Sequence, residues 1–116
     1  MTDVKIYHNP RCSKSRQTLA LLREHGHEPS VVEYLKTPPS AAELDQLLQS
    51  LDMEPRELMR KKEAAYKESG ADDTSLSRAA LIALMVEHPV LIERPIVVHG
   101  RKAALGRPPE AVLAIL

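Results

Sequence analysis

The stretch Val4-Lys5-Ile6-Tyr7-His8-Asn9-Pro10-Arg11-Cys12-Ser13-Lys14-Ser15-Arg16 decides the fold. Val4 to Tyr7 alternates apolar and polar residues and runs into Asn9-Pro10, the pattern of a short strand ended by a turn. A helix is predicted to follow at once, from Ser13 to His25. Leu19, Ala20 and Leu22 supply its apolar stripe, Gly26 fits the position just past its C-terminus, and Arg23 and His25 suit its negative end. The opening unit is therefore strand, tight turn, helix, with the chain's one cysteine at the junction.

Outward from that unit, Val31-Val32-Glu33-Tyr34-Leu35 reads as a second strand, stopped by Thr37-Pro38-Pro39. Ser40 and Glu43 form a capping box for a helix striped by Leu44, Leu47, Leu48 and Leu51. Pro55 starts a further short helix carrying Leu58, Met59 and Arg60. Lys61 to Ala71 is polar and poorly periodic. Asp72 to Ser77 then offers capping residues for a helix with Leu81, Leu84, Met85 and His88, ended by Pro89. Ile96-Val97-Val98 is a short β-branched strand, and His99-Gly100-Arg101-Lys102 turns it into a partner ending near Leu105. Pro108 and Pro109 set up a terminal helix whose Val112, Ile115 and Leu116 face the core. A βαβ opening, a helical insertion from about residue 40 to 88 and a ββα close predict an α/β fold. Its mixed four-stranded sheet, flanked by helices, lies in one domain spanning residues 1–116.

Composition excludes several functions. With no Phe, no Trp and three Tyr, no row of aromatics exists on which nucleic-acid bases could stack. Sixteen basic residues balance sixteen acidic ones, so attraction for an anion must come from local clustering. Met1 to Lys5 lack a targeting pattern, and every apolar run is far short of the roughly 20 residues of a membrane span. A lone cysteine cannot form an intrachain disulfide, which suits a reducing compartment, and the cytoplasm is the expected location. One Cys and five His (His8, His25, His27, His88 and His99) show no metal-ligand spacing, so no metal is expected.

At a strand-to-helix junction the N–H groups of Ser13, Lys14 and Ser15 lack intrahelical acceptors and favour an anion placed before them. A thiolate is such an anion. Arg11, Lys14 and Arg16 add positive charge nearby, so the Cys12 pKa is predicted to fall below its ordinary value. Ionisation alone gains little. For a thiol moved from about 8.5 to about 6, the thiolate fraction at pH 7 rises from roughly 3% to roughly 90%, but intrinsic nucleophilicity falls about tenfold. The same N–H groups matter more as a cradle for an oxyanion, where each donor is worth about 10² to 10³ in rate. A buried, inert thiol is the competing reading for an isolated cysteine, but a polar, cationic helix start is a poor place to hide one.

Four segments, the first of them within the opening stretch, carry a wider pattern. His8-Asn9-Pro10-Arg11-Cys12, Leu58-Met59-Arg60-Lys61-Lys62-Glu63, His88-Pro89 with Glu93-Arg94-Pro95-Ile96-Val97-Val98, and Gly106-Arg107-Pro108-Pro109-Glu110 together resemble the glutaredoxin-linked ArsC arsenate reductases. The resemblance spans nearly the whole chain. It implies a thioredoxin-like fold, attack of Cys12 on arsenate, and an oxyanion site built from Arg60, Arg94 and Arg107. It also implies a cis bond before Pro95 that brings Arg94 near Cys12. Planar guanidinium groups, permanently charged, can offset repulsion between a tetrahedral oxyanion and a thiolate. The competing reading for each arginine is a solvated or ion-paired surface residue. His8 and Ser15 would tune the thiol by hydrogen bonding, although His8 reads equally well as an ordinary strand-end residue.

With no second cysteine, an external thiol must resolve any covalent intermediate. The resemblance supplies glutathione as co-substrate and glutaredoxin as partner, with no bound cofactor. Two other functions stay open. One is an ArsC-like reductase of another small oxyanion or of glutathionylated thiols. The other is a regulator resembling Spx, which binds RNA polymerase; Ser at position 15, where a Cys-x-x-Cys switch needs its second cysteine, and the neutral net charge lean against it.

Overall fold

The computed structural model describes residues 3–116; Met1 and Thr2, part of the segment read above for targeting signals, lie outside the described residues. Two compact units are present, one running to Thr37 and resuming at Arg94–Leu116, the other Pro38–Glu93.

The first unit is built on β1 (Val4–His8), whose apolar residues are buried on both sheet faces because it is an interior strand. The sheet order is β2-β1-β3-β4, with β2 at Ser30–Glu33, β3 at Ile96–His99 and β4 at Lys102–Leu105. β1 runs parallel to β2, pairing Ile6 with Val31, and antiparallel to β3, pairing Ile6 with Val97. β3 and β4 form the expected hairpin, His99 opposite Lys102. The parallel pair requires a crossover, which α1 (Ser13–Glu24) provides. Gly26, at φ +84°, closes α1: its N–H donates to Arg23 O and that of His27 to Leu22 O, satisfying two helix-end carbonyls. Val4, Ile6, Leu22, Val97 and Val112 form the core, with Leu19, Ile115 and Leu116 packed against it.

The elements differ from the sequence reading in several ways, among them that the helix begun by Pro55 ends at Leu58 and leaves Met59 and Arg60 outside it. β2 stops at Glu33, because the N–H groups of both Lys36 and Thr37 donate to Glu33 O and turn the chain, burying Tyr34 and leaving Leu35 exposed. In α1 the buried residues are Ser15, Thr18 and Leu22, and Ala20 is exposed, so the inward stripe opens with two hydroxyls. The C-terminal helix, Pro109–Ile115, is 3₁₀ rather than α, yet it still buries Val112 completely.

The second unit is helical. α2 (Ala41–Leu51) is capped by Ser40, whose Oγ accepts from Glu43 N–H, and it buries Leu44, Leu47 and Leu48. A 3₁₀ turn at Pro55–Leu58 follows, then α3 (Ala64–Glu68), a short helix within the segment that had no clear period. α4 (Arg78–Glu87) is capped by Ser77 and buries Leu81, Ile82 and Met85. The Arg78–Asp45 ion pair at 2.9 Å joins α4 to α2. Met59 and Ile92 form an isolated antiparallel bridge, where Arg60 N–H donates to Leu91 O and Glu93 N–H to Leu58 O. Among the described residues no helix is long and apolar enough to cross a membrane.

Candidate active site

Cys12 is the N-cap residue of α1, in extended conformation at φ −94° and ψ 123°, and 9% exposed. Asn9-Pro10-Arg11 delivers it there as a closed turn: Cys12 N–H donates to Asn9 O, and Asn9 Oδ1 accepts from Arg11 N–H, each at 3.0 Å. Its side chain makes no ordinary cap hydrogen bond. The groups around it act on the ionised form instead. Burial pushes the thiol up; the Ser15 peptide N–H, the Arg94 charge, the Lys14 peptide N–H and a hydrogen bond from Arg94 act against burial, and the net displacement is downward. Cys12 is thus a partly shielded thiol poised towards thiolate.

The cation at the sulfur is Arg94, from the segment leading into β3, and not the neighbours of Cys12 in sequence. The sequence reading assigned local positive potential to Arg11, Lys14 and Arg16, but these side chains are exposed and screened by water. Arg16 is turned to its own loop, donating to Pro10 O at 2.9 Å, and Lys14 contributes through its backbone N–H. Arg94 Nε and Nη1 are buried and make no hydrogen bond among the described residues. Two donors of a permanent cation therefore stand dry and unanswered at the thiol. The Arg94–Pro95 bond is cis, as the resemblance implied, and so is Arg107–Pro108. Arg107 is exposed at its far end, and its Nε donates to Arg94 O at 2.8 Å.

Residues 7–115 match the ArsC family. The chain belongs to that family. It is 62% identical over 115 residues to the uncharacterized protein YfgD of Escherichia coli (strain K12), covering 98% of this chain and 97% of that one. It is 48% identical over 117 residues, the full length of both chains, to an arsenate reductase of Neisseria meningitidis serogroup A. The solved structure of an arsenate reductase from Vibrio cholerae superposes with a TM-score of 0.96 at 57% identity, covering 99% of this chain and 98% of that one. The mixed sheet and its flanking helices are accordingly a thioredoxin-like fold.

Five of the six residues singled out from the sequence lie together in the first unit of this ArsC-family chain. Besides Cys12, Arg94 and Arg107, these are His8 and Ser15. His8 ends β1 and is buried; its Nδ1 lies 2.6 Å from Ser15 Oγ, which also accepts Asn9 N–H at 3.0 Å. Burial lowers the His8 pKa; Glu33 partly opposes this and Arg23 and Arg16 add to it. With the ring neutral, Nδ1 can accept the Ser15 hydroxyl proton in the Nε2–H tautomer. His8 therefore reaches the thiol through Ser15, whose backbone acts on sulfur while its side chain ties strand to helix.

Arg60, the sixth residue, lies in the second unit, where its guanidinium is held by Glu63 at 2.5 Å and Glu93 at 3.3 Å. Two positions escaped the sequence reading. Thr18 is fully buried, its hydroxyl donating to Lys14 O at 2.8 Å, and Gly106 touches it. Thr18 keeps the helical spacing of Ser15 and Leu22, but its polar side chain hides it from a search for apolar periodicity; nothing local marks Gly106.

Proposed function

We propose that this chain reduces arsenate to arsenite, with Cys12 as nucleophile and Arg94 as the main ligand of the oxyanion. The observation that carries this reading is the buried Arg94 fork, with two N–H donors lacking partners, beside a thiol favoured as thiolate. A tetrahedral oxyanion would take a parallel pair of donors, Nη2 with either Nε or Nη1, on one edge of the guanidinium, while the Ser15 and Lys14 N–H groups face the charge carried by sulfur. Arg107 supports the site through its Nε bond to Arg94 O; Arg60 would have to exchange a carboxylate for the anion.

In the first step the Cys12 thiolate attacks arsenic, an S–As bond forms, and the As–O bond to one arsenate hydroxyl breaks as that oxygen takes a proton from solvent and leaves as water. Glutathione then attacks the Cys12 sulfur; the S–As electron pair passes to arsenic, taking it from the +5 to the +3 state, and arsenite departs. The cysteine is left in a mixed disulfide. Since the chain has one cysteine, a glutaredoxin thiol removes the glutathione sulfur and restores the Cys12 thiolate. These thiols are available in a reducing cytoplasm, where we place the protein.

The test is NADPH oxidation by glutathione reductase, coupled through glutathione and glutaredoxin to added arsenate. Wild type should turn over, Cys12→Ser should not, and Arg94→Ala should be strongly impaired. Wild-type inactivity with arsenate, together with turnover of a glutathionylated peptide, would replace this reading with the second one. The carboxylates on Arg60 favour that alternative, which needs Cys12 and Arg94 but no third arginine.

A further inference from the structure

Gly106 follows β4 and precedes Arg107, and its bare Cα lies against two rigid neighbours. A Cβ there would fall 2.4 Å from Thr18 Oγ1, 3.1 Å from Thr18 Cγ2 and 2.7 Å from Pro95 Cγ. Neither neighbour can swing aside. Thr18 is β-branched, fully buried on α1 and bonded through its hydroxyl to Lys14 O. The Pro95 ring is fixed to the backbone immediately after Arg94. Gly106 N–H also donates to Pro95 O at 3.0 Å, and the next residue, Arg107, holds Arg94 O. Any outward movement of residue 106 is therefore transmitted to both arginines, while Cys12 stays on the other side of the wedge, at the head of α1.

We propose that Gly106 is a positioning residue for the Cys12 chemistry: with Thr18 and Pro95 it sets the spacing between α1 and the paired Arg94 and Arg107. A methyl group at 106 would have to open contacts of 2.4 and 2.7 Å towards the 3.4 Å of ordinary packing, a displacement of 0.7 to 1.0 Å. Misplacement on that scale at a reacting centre costs up to about 100-fold in rate, so about tenfold is expected from a loop that shares the strain. The proposal rests on the arsenate reading only for its kinetic measurement.

The test uses Gly106→Ala and the double variant Thr18→Ala/Gly106→Ala in the full chain. The double variant removes both Thr18 contacts but keeps the one on Pro95, so it restores room on the helix side and still presses on the arginine segment. Thiolate absorbance is titrated against pH with no arsenate present. In both variants the Cys12 thiol should ionise at higher pH than in wild type, and the arsenate KM should rise about tenfold with kcat less affected. A folded variant of either kind with the wild-type titration curve would overturn the proposal; if the single variant does not fold, the double variant decides. Should wild type itself fail to reduce arsenate, the functional reading falls while the thiol titration still settles the role of Gly106.

Discussion

Replacing Arg94 by alanine separates what the site does from what holds the protein together. In the free protein Arg94 Nε and Nη1 are buried without partners, a desolvation cost of about 1–3 kcal/mol for each donor. Truncation removes that cost and loses the packing of the aliphatic stem, so Arg94→Ala should stay within about 1 kcal/mol of wild type in stability. The function should respond very differently. A charge-assisted hydrogen bond contributes about 1.5–3 kcal/mol, and two of them about 3–6. Water entering the vacated space recovers part of this, leaving a loss of about 10² to 10³ in kcat/KM for arsenate. Steady-state kinetics under saturating glutathione and glutaredoxin measures that loss, and urea denaturation measures the stability. Sulfate or arsenate should raise the melting temperature of wild type but not of the variant. Lysine at 94 should keep much of the thiol's ionisation but fail to restore anion affinity, since an ammonium lacks the planar fork. A variant within threefold of wild type in kcat/KM, or one that keeps the anion-dependent thermal shift, would refute the assignment.

Cys12→Ser should abolish turnover and also alter stability as a function of pH. The folded thiol titrates below its ordinary value, so it adds stability that is complete above that value and vanishes as pH falls through the folded one; wild type minus Cys12→Ser should show that rise in urea melts, and a flat difference would argue against a stabilised thiolate. Ser15→Ala leaves Asn9 N–H and His8 Nδ1 without their partner and should cost about 1–3 kcal/mol, yet the Cys12 titration should move little because the Ser15 peptide N–H remains. An unchanged melting curve would remove Ser15 from that network. Glu93→Gln frees Arg60 from one carboxylate, and if Arg60 serves the anion the arsenate KM should fall about threefold. An unchanged KM would take Arg60 out of the site.

The strands were legible because their signals are local: alternation in Val4 to Tyr7, β-branched residues in Ile96 to Val98, and a glycine in the hairpin turn. So were the caps at Ser40 and Ser77 and the helix stop at Gly26. Misreadings arose where hydrogen bonding outranked side-chain type. Tyr34 and Leu35 have strand-like side chains, but two N–H groups converging on Glu33 O end β2 before them. α1 was read by its leucines, whereas its inward face begins with Ser15 and Thr18, hydroxyls that burial tolerates because each has a hydrogen-bond partner. A hydropathy stripe cannot register a polar residue buried in this way.

The same contrast explains the site. That Cys12 meets the free N–H groups of a helix start follows from the order strand, turn, helix, and so it was readable. The identity of the cation was legible only through the family resemblance, which brought Arg94 near Cys12; local reading pointed to the wrong cations, because proximity in sequence is a poor guide to charge that survives screening. Arg11, Lys14 and Arg16 stand within a few residues of the thiol but in water, whereas Arg94 reaches it from a distant segment with two of its nitrogens buried. A charge in water at 4 Å is worth about 1 kcal/mol to its partner, and one in a partly dry setting about 4. One shielded arginine can therefore outweigh three exposed cations. Its position depends in turn on Pro95, Gly106 and Thr18, none of which carries charge or would attract notice in a search for reactive side chains.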